Sequence, residues 1–192
     1  MKVASHCAVP GQNTAHMTPS FAIGMLGAAF AILWPLCRTR TSMLLMQSGV
    51  AVFFALHYVL EGAVTGAVMN GLGLAQGLLA IPLGDKPLFR VAYLATLPLI
   101  AFVLVMTWAG APSAFAAVGF AMISLGRYQL STVRFRMFLL IAIPCWMLHN
   151  ASVGSVPGLI ADTFALGTSA WMLRRDLQRE RARRQKVRLA GA

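Results

Sequence analysis

The sequence predicts an all-α integral membrane protein with seven transmembrane helices, arranged as two parallel three-helix repeats joined by a linking helix. Three observations predict this fold class. Hydrophobic residues make up 58% of the 192 residues and charged residues only 11%, which lies outside the usual composition of soluble domains. The hydrophobic residues form runs close to the length of about 20 residues that crosses a bilayer. Part of the chain also resembles the segment 92 positions later.

The first four helices are predicted from apolar runs that end at charged or turn-forming residues. Arg38 ends the first run, Glu61 the second and Lys86 the third. The fourth run lies between Arg90 and Gly110. We therefore expect helices at residues 20–37, 42–60, 62–83 and 91–109.

The last three helices are predicted at residues 111–125, 137–151 and 155–173. The first two of these runs are short, and they span a bilayer only if Arg127, Arg134 and Arg136 extend their long side chains to the membrane surface. The resulting divisions are an amino-terminal segment 1–19, a first repeat 20–83, a linking helix 84–110, a second repeat 111–173 and a basic tail 174–192.

The basic residues predict the orientation. With seven crossings, 15 of the 16 Lys and Arg residues lie on one side and only Lys2 lies on the other. Lys and Arg near helix ends collect on the cytoplasmic side, so we expect a periplasmic amino terminus and a cytoplasmic carboxyl terminus. The amino-terminal segment lacks the apolar stretch of a cleaved signal, and Met17 is an alternative start to Met1.

The basic tail is expected to extend the last helix and to meet anionic lipid headgroups. A stop-transfer role is favoured over a specific RNA or protein contact. Nucleic acid is not a predicted partner, because Lys and Arg lie in short clusters between apolar runs. Three tryptophans near helix ends are expected to anchor the protein at the membrane interface: Trp34, Trp108 and Trp171.

No metal, cofactor or enzymatic activity is predicted. Cys7, Cys37 and Cys145 form no close pair and no metal-ligand spacing. A metal site at Cys7, His6 and His16 is disfavoured because the segment is terminal. The sequence has no HExxH motif, and we find no Ser–His pair or paired carboxylates at a workable spacing.

The segment from Phe54 onward matches the segment from Trp146 onward at several positions. Three helices, one linking helix and three more helices would give two copies with the same orientation, as in many transporters. Chance agreement between two apolar segments is the alternative. The main matches are Leu56 with Leu148, His57 with His149, Gly62 with Gly154 and Gly66 with Gly158.

Polar residues within the apolar runs form a candidate site. Asn70 lies 13 residues beyond His57, and Asp162 lies 13 residues beyond His149. Each pair flanks an outer turn evenly, so all four lie about 10 Å below the outer surface at about 1.5 Å per residue. An ionised carboxylate in hydrocarbon is costly. Asp162 should therefore face a cavity, pair with a partner such as His149, or be protonated.

The alternative reading is that these side chains form hydrogen bonds between helices, with His57 pairing with Glu61 one turn later. We expect this structural role for the two histidines and a functional role for Asp162.

Residues 144–176, PCWMLHNASVGSVPGLIADTFALGTSAWMLRRD, resemble the carboxyl-terminal part of the YgjV-like family of bacterial inner-membrane proteins. The Leu-His, glycine and Asn pattern at residues 56–70 is similar to that family too. This resemblance implies a location in the bacterial inner membrane.

The architecture is also similar to that of the SWEET and PQ-loop sugar transporters. That resemblance implies that Trp146 is a pocket-wall aromatic and that Asp162 takes the place of a pocket Asn. The matching positions in the first copy are Phe54 and Asn70. Asp at position 162 and the additional His149 depart from the sugar-transporter pattern, so a sugar substrate is not implied.

We therefore expect a small-solute transporter or facilitator with a midplane pocket. The alternative is a non-transporting membrane scaffold or assembly factor, in which the polar layer would be packed shut. The predicted partners are membrane lipids and the solute, and the sequence leaves homo-oligomer formation open. The expected pocket residues are Phe54, His57, Asn70, Trp146, His149, Asn150 and Asp162.

Overall fold

The computed structural model describes residues 18–84 and 86–190, and this part of the chain contains α-helices and no β-strand. Seven α-helices are present there, as the sequence predicts. They are α1 (Pro19–Leu33, continued by a 3-10 turn at Trp34–Leu36), α2 (Arg40–Leu60), α3 (Val64–Leu83), α4 (Pro87–Met106), α5 (Ala111–Tyr128), α6 (Thr132–Val153) and α7 (Val156–Ala190). The candidate metal ligands His6, Cys7 and His16 lie outside the described residues, as does Met17.

Five helical segments of the described chain are long and apolar enough to cross a membrane. These are Pro19–Leu36, Arg40–Leu60, Val64–Leu83, Phe89–Met106 and Thr132–Val153. Helices α5 and α7 are not among them. The structure is therefore that of a multi-helix membrane protein.

Local sequence signals explain where the helices begin and end. The Thr39 side chain accepts a hydrogen bond from the Ser42 backbone at the start of α2, and Ser131 accepts one from Arg134 at the start of α6. Helix α6 therefore begins at Thr132, five residues before the predicted start at 137. Gly154 follows α6 with a φ of 74°, the left-handed conformation that glycine adopts readily at a helix end.

Six helices form a closed ring, and α4 packs outside it. Around the ring, α1 packs against α2, α2 against α3, α3 against α5, α5 against α6, α6 against α7, and α7 against α1. Helix α4 packs against α5 and, less extensively, α3. Small residues allow close packing: a Cβ atom at Gly49 on α2 would lie 2.5 Å from the Phe30 ring on α1.

Two of the three arginines expected at the membrane surface are buried instead, so that prediction was wrong for them. Arg127 is 2% exposed and Arg136 is 0% exposed, whereas Arg134 is exposed. Arg136 is buried because α1 leaves carbonyl groups free at its end: its Nη1 donates to Pro35 O at 2.7 Å and its Nη2 to Cys37 O at 2.8 Å. Its Nε also donates to the Asp176 carboxylate at 3.0 Å.

Trp34 is also buried, at 6% exposure, because the 3-10 turn after α1 directs it into the protein. The expectation that Trp34 anchors the membrane interface was therefore wrong. Trp108 and Trp171 are 60% and 52% exposed. The Trp171 ring packs against the Arg175 guanidinium, whose carbon lies 4.9 Å from the ring centroid.

Candidate functional site at the centre of the helix ring

A cavity of about 110 Å³ lies between the six ring helices, and each of these helices contributes to its wall. Helix α4 does not line it. Five of the seven residues expected in a pocket line this cavity, namely Phe54, Asn70, Trp146, Asn150 and Asp162. His57 and His149 do not line it.

Asp162 lies at the end of a chain of hydrogen bonds that crosses the ring. Asn150 Nδ2 donates to Asp162 Oδ2 at 2.8 Å, and Tyr58 Oη donates to Asn150 Oδ1 at 2.6 Å. The carboxylate and the hydroxyl together fix which way the buried Asn150 amide points. Asp162 thus has Asn150 as its partner rather than His149. The chain of bonds connects α7, α6 and α2.

Aromatic rings form one wall of the cavity. Phe54 and Tyr58 are stacked with their ring centroids 5.6 Å apart. Tyr58 lies nearly parallel to Trp146, with centroids 6.2 Å apart and an interplanar angle of 10°. This wall presents apolar ring faces to the cavity, while the Tyr58 hydroxyl is hydrogen-bonded to Asn150.

The two histidines bind neighbouring helices. His57 Nδ1 lies 3.0 Å from the Ser20 carbonyl oxygen on α1, and His149 Nδ1 lies 2.9 Å from the Pro112 carbonyl oxygen on α5. The sequence suggested that His57 pairs with Glu61. The two do not pair, because the Ser20 hydroxyl lies between them and donates to the Glu61 carboxylate. In both cases the histidine joins two helices.

The structure also brings together a Ser–His pair that the sequence did not reveal. Ser155 Oγ lies 2.8 Å from His57 Nε2, although the two residues are 98 positions apart. Ser155 also caps α7 by accepting a hydrogen bond from Gly158 N at 3.1 Å. Both side chains are buried and neither lines the cavity, so this pair serves to hold α7 against α2.

Arg127 is a cavity residue that the sequence reading missed, because it was assigned to the membrane surface. Its Nη1 donates to Gly73 O at 2.8 Å and to Gln76 Oε1 at 3.0 Å. Its Nη2 lies 3.4 Å from Gln47 Oε1. Gln47 and Gln76 were the signal that could have found it, since two glutamines within apolar runs need buried partners.

Asp162 and Arg127 occupy opposite ends of the cavity. Gln47 contacts Arg127 and Tyr58 reaches Asn150, and both belong to the cavity-lining face of α2. Tyr58 lies 11 positions after Gln47 on α2, which corresponds to about 16 Å along the helix axis. The cavity is thus acidic at one end, basic at the other and aromatic between them.

Within the described part of the chain, no three His, Cys, Asp or Glu side chains converge as metal ligands would.

One family model matches most of the chain. It is described as a bacterial inner membrane protein, Imp-YgjV, and it covers residues 20–180, which include all seven helices down to the first part of the basic tail. Comparison with curated proteins and with solved structures found no match. The apolar helices and the family model agree, and the chain belongs to the Imp-YgjV family of bacterial inner membrane proteins.

Proposed function

We propose that this protein is a carrier or facilitator for a small solute that binds in the central cavity. The observation that carries this proposal is the cavity itself, whose wall combines a carboxylate, a guanidinium, amides and aromatic rings. A concave site with apolar walls and a few polar groups is the usual form of a small-molecule site. A scaffold protein would have no need to keep such groups around an open space.

We further propose that residues 20–83 and 111–173 are two parallel repeats. Matching hydrogen bonds support this: His57 to Ser20 O and His149 to Pro112 O both span 37 residues. Tyr58 and Asn150, which bond to each other, are 92 positions apart, the same offset as the two histidines. They would therefore be equivalent residues meeting at the axis between the repeats.

The ends of the first helix in each proposed repeat are bound by the other repeat. Arg136 on α6 donates to Pro35 O after α1, and Arg40 on α2 donates to Arg127 O at the end of α5. Pro35 and Arg127 are again equivalent positions. Opening the cavity on this side would require the two repeats to move apart at these bonds.

The opposite side of the cavity is closed by other bonds between the proposed repeats. Ser155 on α7 binds His57 on α2, and the Thr65 hydroxyl on α3 lies 2.8 Å from the Ser113 hydroxyl on α5. Hydrogen bonds within membranes contribute only about 0.6 kcal/mol each, so such contacts can break during transport. Rocking of the two bundles would then expose the cavity to one side at a time.

The proposed topology has seven crossings, with the amino terminus in the periplasm. The arginine-rich side of the bundle and the tail would face the cytoplasm. Three arginines of the tail, Arg174, Arg179 and Arg181, are exposed and available to anionic headgroups.

Filling the cavity tests the proposed function. Ala142 on α6 lines the cavity and is 1% exposed, so Ala142→Phe should occupy the solute's space. A screen of metabolites for thermal stabilisation of the purified protein should find solutes that stabilise the natural protein but not this variant. Ala151→Phe on the exposed face of the same helix is the control.

Equal stabilisation of the Ala142→Phe and Ala151→Phe variants by every active solute would contradict a central binding site. The scaffold alternative would then be favoured.

A further inference from the structure

We infer that the solute is a small organic anion whose carboxylate binds Arg127. This inference rests on the proposed function and adds the chemical class of the solute. It depends on the partners of Arg127, on the size of the cavity and on the groups next to the guanidinium.

Arg127 is a buried cation with neutral partners. Its hydrogen-bond acceptors are a backbone carbonyl and two glutamine amides, at Gly73, Gln76 and Gln47. Among the residues that the structure describes, no carboxylate forms an ion pair with Arg127, and its Nε has no hydrogen-bond acceptor. A buried guanidinium is stabilised by a charged acceptor, and an anionic ligand would supply one.

Arg136 provides an internal comparison. It is as deeply buried as Arg127, but its Nε binds the Asp176 carboxylate at 3.0 Å. It does not line the cavity. Among the described residues, the buried arginine that lies away from the cavity is thus paired with a carboxylate, whereas the arginine at the cavity has no acidic partner.

Asp162 is not the charged acceptor for the Arg127 guanidinium. Its carboxylate binds Asn150 at the other end of the cavity. The two α2 residues that reach these ends, Gln47 beside Arg127 and Tyr58 beside Asn150, are about 16 Å apart along the helix axis. The carboxylate and ammonium groups of an α-amino acid lie too close together to reach both ends. A short solute held by Arg127 therefore does not also pair with Asp162.

The cavity limits the size of the solute. A dry cavity of about 150 Å³ in another protein binds benzene, with six carbon atoms. The present cavity is smaller, at about 110 Å³. One and two turns before Arg127 on the same helix, Ile123 and Phe120 also line it, so the space beside the guanidinium is apolar. These features fit a carboxylate with a short hydrocarbon chain, such as propionate.

The test compares three probes of similar size with different charge. The purified full-length protein is titrated at pH 7 with propionate, propionamide or propylammonium, and its Tm is measured. Ionic strength is held constant with gluconate, a carboxylate too large for the cavity. We expect propionate alone to raise Tm, by about 5–10 °C at 100 times its Kd and with the logarithm of its concentration above that.

Variants connect this response to one side chain. Arg127→Gln should weaken propionate binding at least about tenfold, the loss expected when a charged hydrogen bond becomes neutral. Arg134→Gln removes an exposed positive charge at a similar position along the chain and should bind propionate normally. Arg127→Lys retains the charge and should retain part of the response if the glutamine variant does not fold.

An equal response to propionamide, or no response of the natural protein to propionate, would overturn the anion inference. An unchanged propionate affinity in Arg127→Gln would overturn it too. These outcomes would not by themselves contradict the proposed carrier function. Access of a reagent to the cavity from both sides of the membrane, measured without any solute, would still support it.

Discussion

Asn150 is the residue on which the geometry of the cavity's acidic end depends. It donates to Asp162, accepts from Tyr58 and is 2% exposed. Gly158 on α7 leaves room for it, because a Cβ atom at this position would lie 2.3 Å from the Asn150 amide carbon. Because Gly158 has no side chain, Asn150 can form the hydrogen bonds that join α7, α6 and α2.

We predict that Gly158→Ala destabilises the protein by about 1–3 kcal/mol, because Asn150 must move and its two hydrogen bonds are broken. The control is Gly167→Ala on the same helix, where a Cβ would have no neighbour within 4 Å. Gly167→Ala should be neutral or stabilising by up to about 1 kcal/mol. Chemical or thermal unfolding of both variants measures the difference, and equal stabilities would contradict this account of Asn150.

Asp162 has a hydrogen-bonding role and a proposed role in solute transport, which two substitutions separate. Asp162→Asn keeps an oxygen that can accept from Asn150, so it should fold with a stability within about 1 kcal/mol of the natural protein. The part of the pH dependence of solute binding or flux that comes from Asp162 should be lost, because the amide does not exchange a proton. Asp162→Leu removes the acceptor and should cost about 1–3 kcal/mol through the unpaired Asn150 donor.

The measurements are thermal stability and solute binding between pH 5 and 8 on the same preparations. An Asp162→Asn variant with natural stability and natural pH dependence would show that the Asp162 charge has no role in transport.

At the scale of the helices, topology can be measured directly. We predict that a reporter fused after residue 190 is cytoplasmic, because the basic residues adjoin this side of the bundle. A reporter inserted at Gly110, in the turn between α4 and α5, should be periplasmic. Reporter pairs that are active only in one compartment provide the readout. A periplasmic carboxyl terminus would contradict the seven-crossing arrangement.

The helices themselves could be predicted because each apolar run is long and ends at a charge or a turn residue. The bounds of α6 could not, because the Ser131 cap and the buried Arg136 lie outside its apolar run. A hydropathy argument predicts that arginines near helix ends lie at the membrane surface. It has no information on carbonyl groups left free by a different helix, and these groups are what bind Arg136.

Some residues of the candidate site could likewise be predicted from the sequence, and others could not. Asp162 and Asn70 stand out in the sequence as polar residues in apolar runs, and both line the cavity. The histidines stand out equally but turn towards α1 and α5, because backbone carbonyls there accept their hydrogen bonds. Arg127 was missed because its neutral partners come from two other helices, and a single sequence does not show which helices adjoin.

At the scale of the whole molecule, we propose two bundles that close around one cavity and open it to either side in turn. In this proposal both closures depend on side-chain hydrogen bonds between the bundles, which involve arginines on one side and hydroxyl groups on the other. We propose that these closures open alternately.

The most direct test is the access of a thiol reagent to the cavity. Ala142→Cys, in a protein whose native cysteines are replaced by serine, is exposed to a membrane-impermeant maleimide in right-side-out and in inverted vesicles. Although Ala142 is 1% exposed, we predict labelling from both sides, whereas Ala151→Cys near the outer turn should label only in right-side-out vesicles. No labelling of the Ala142→Cys variant from either side, with normal labelling of Ala151→Cys, would contradict the carrier account.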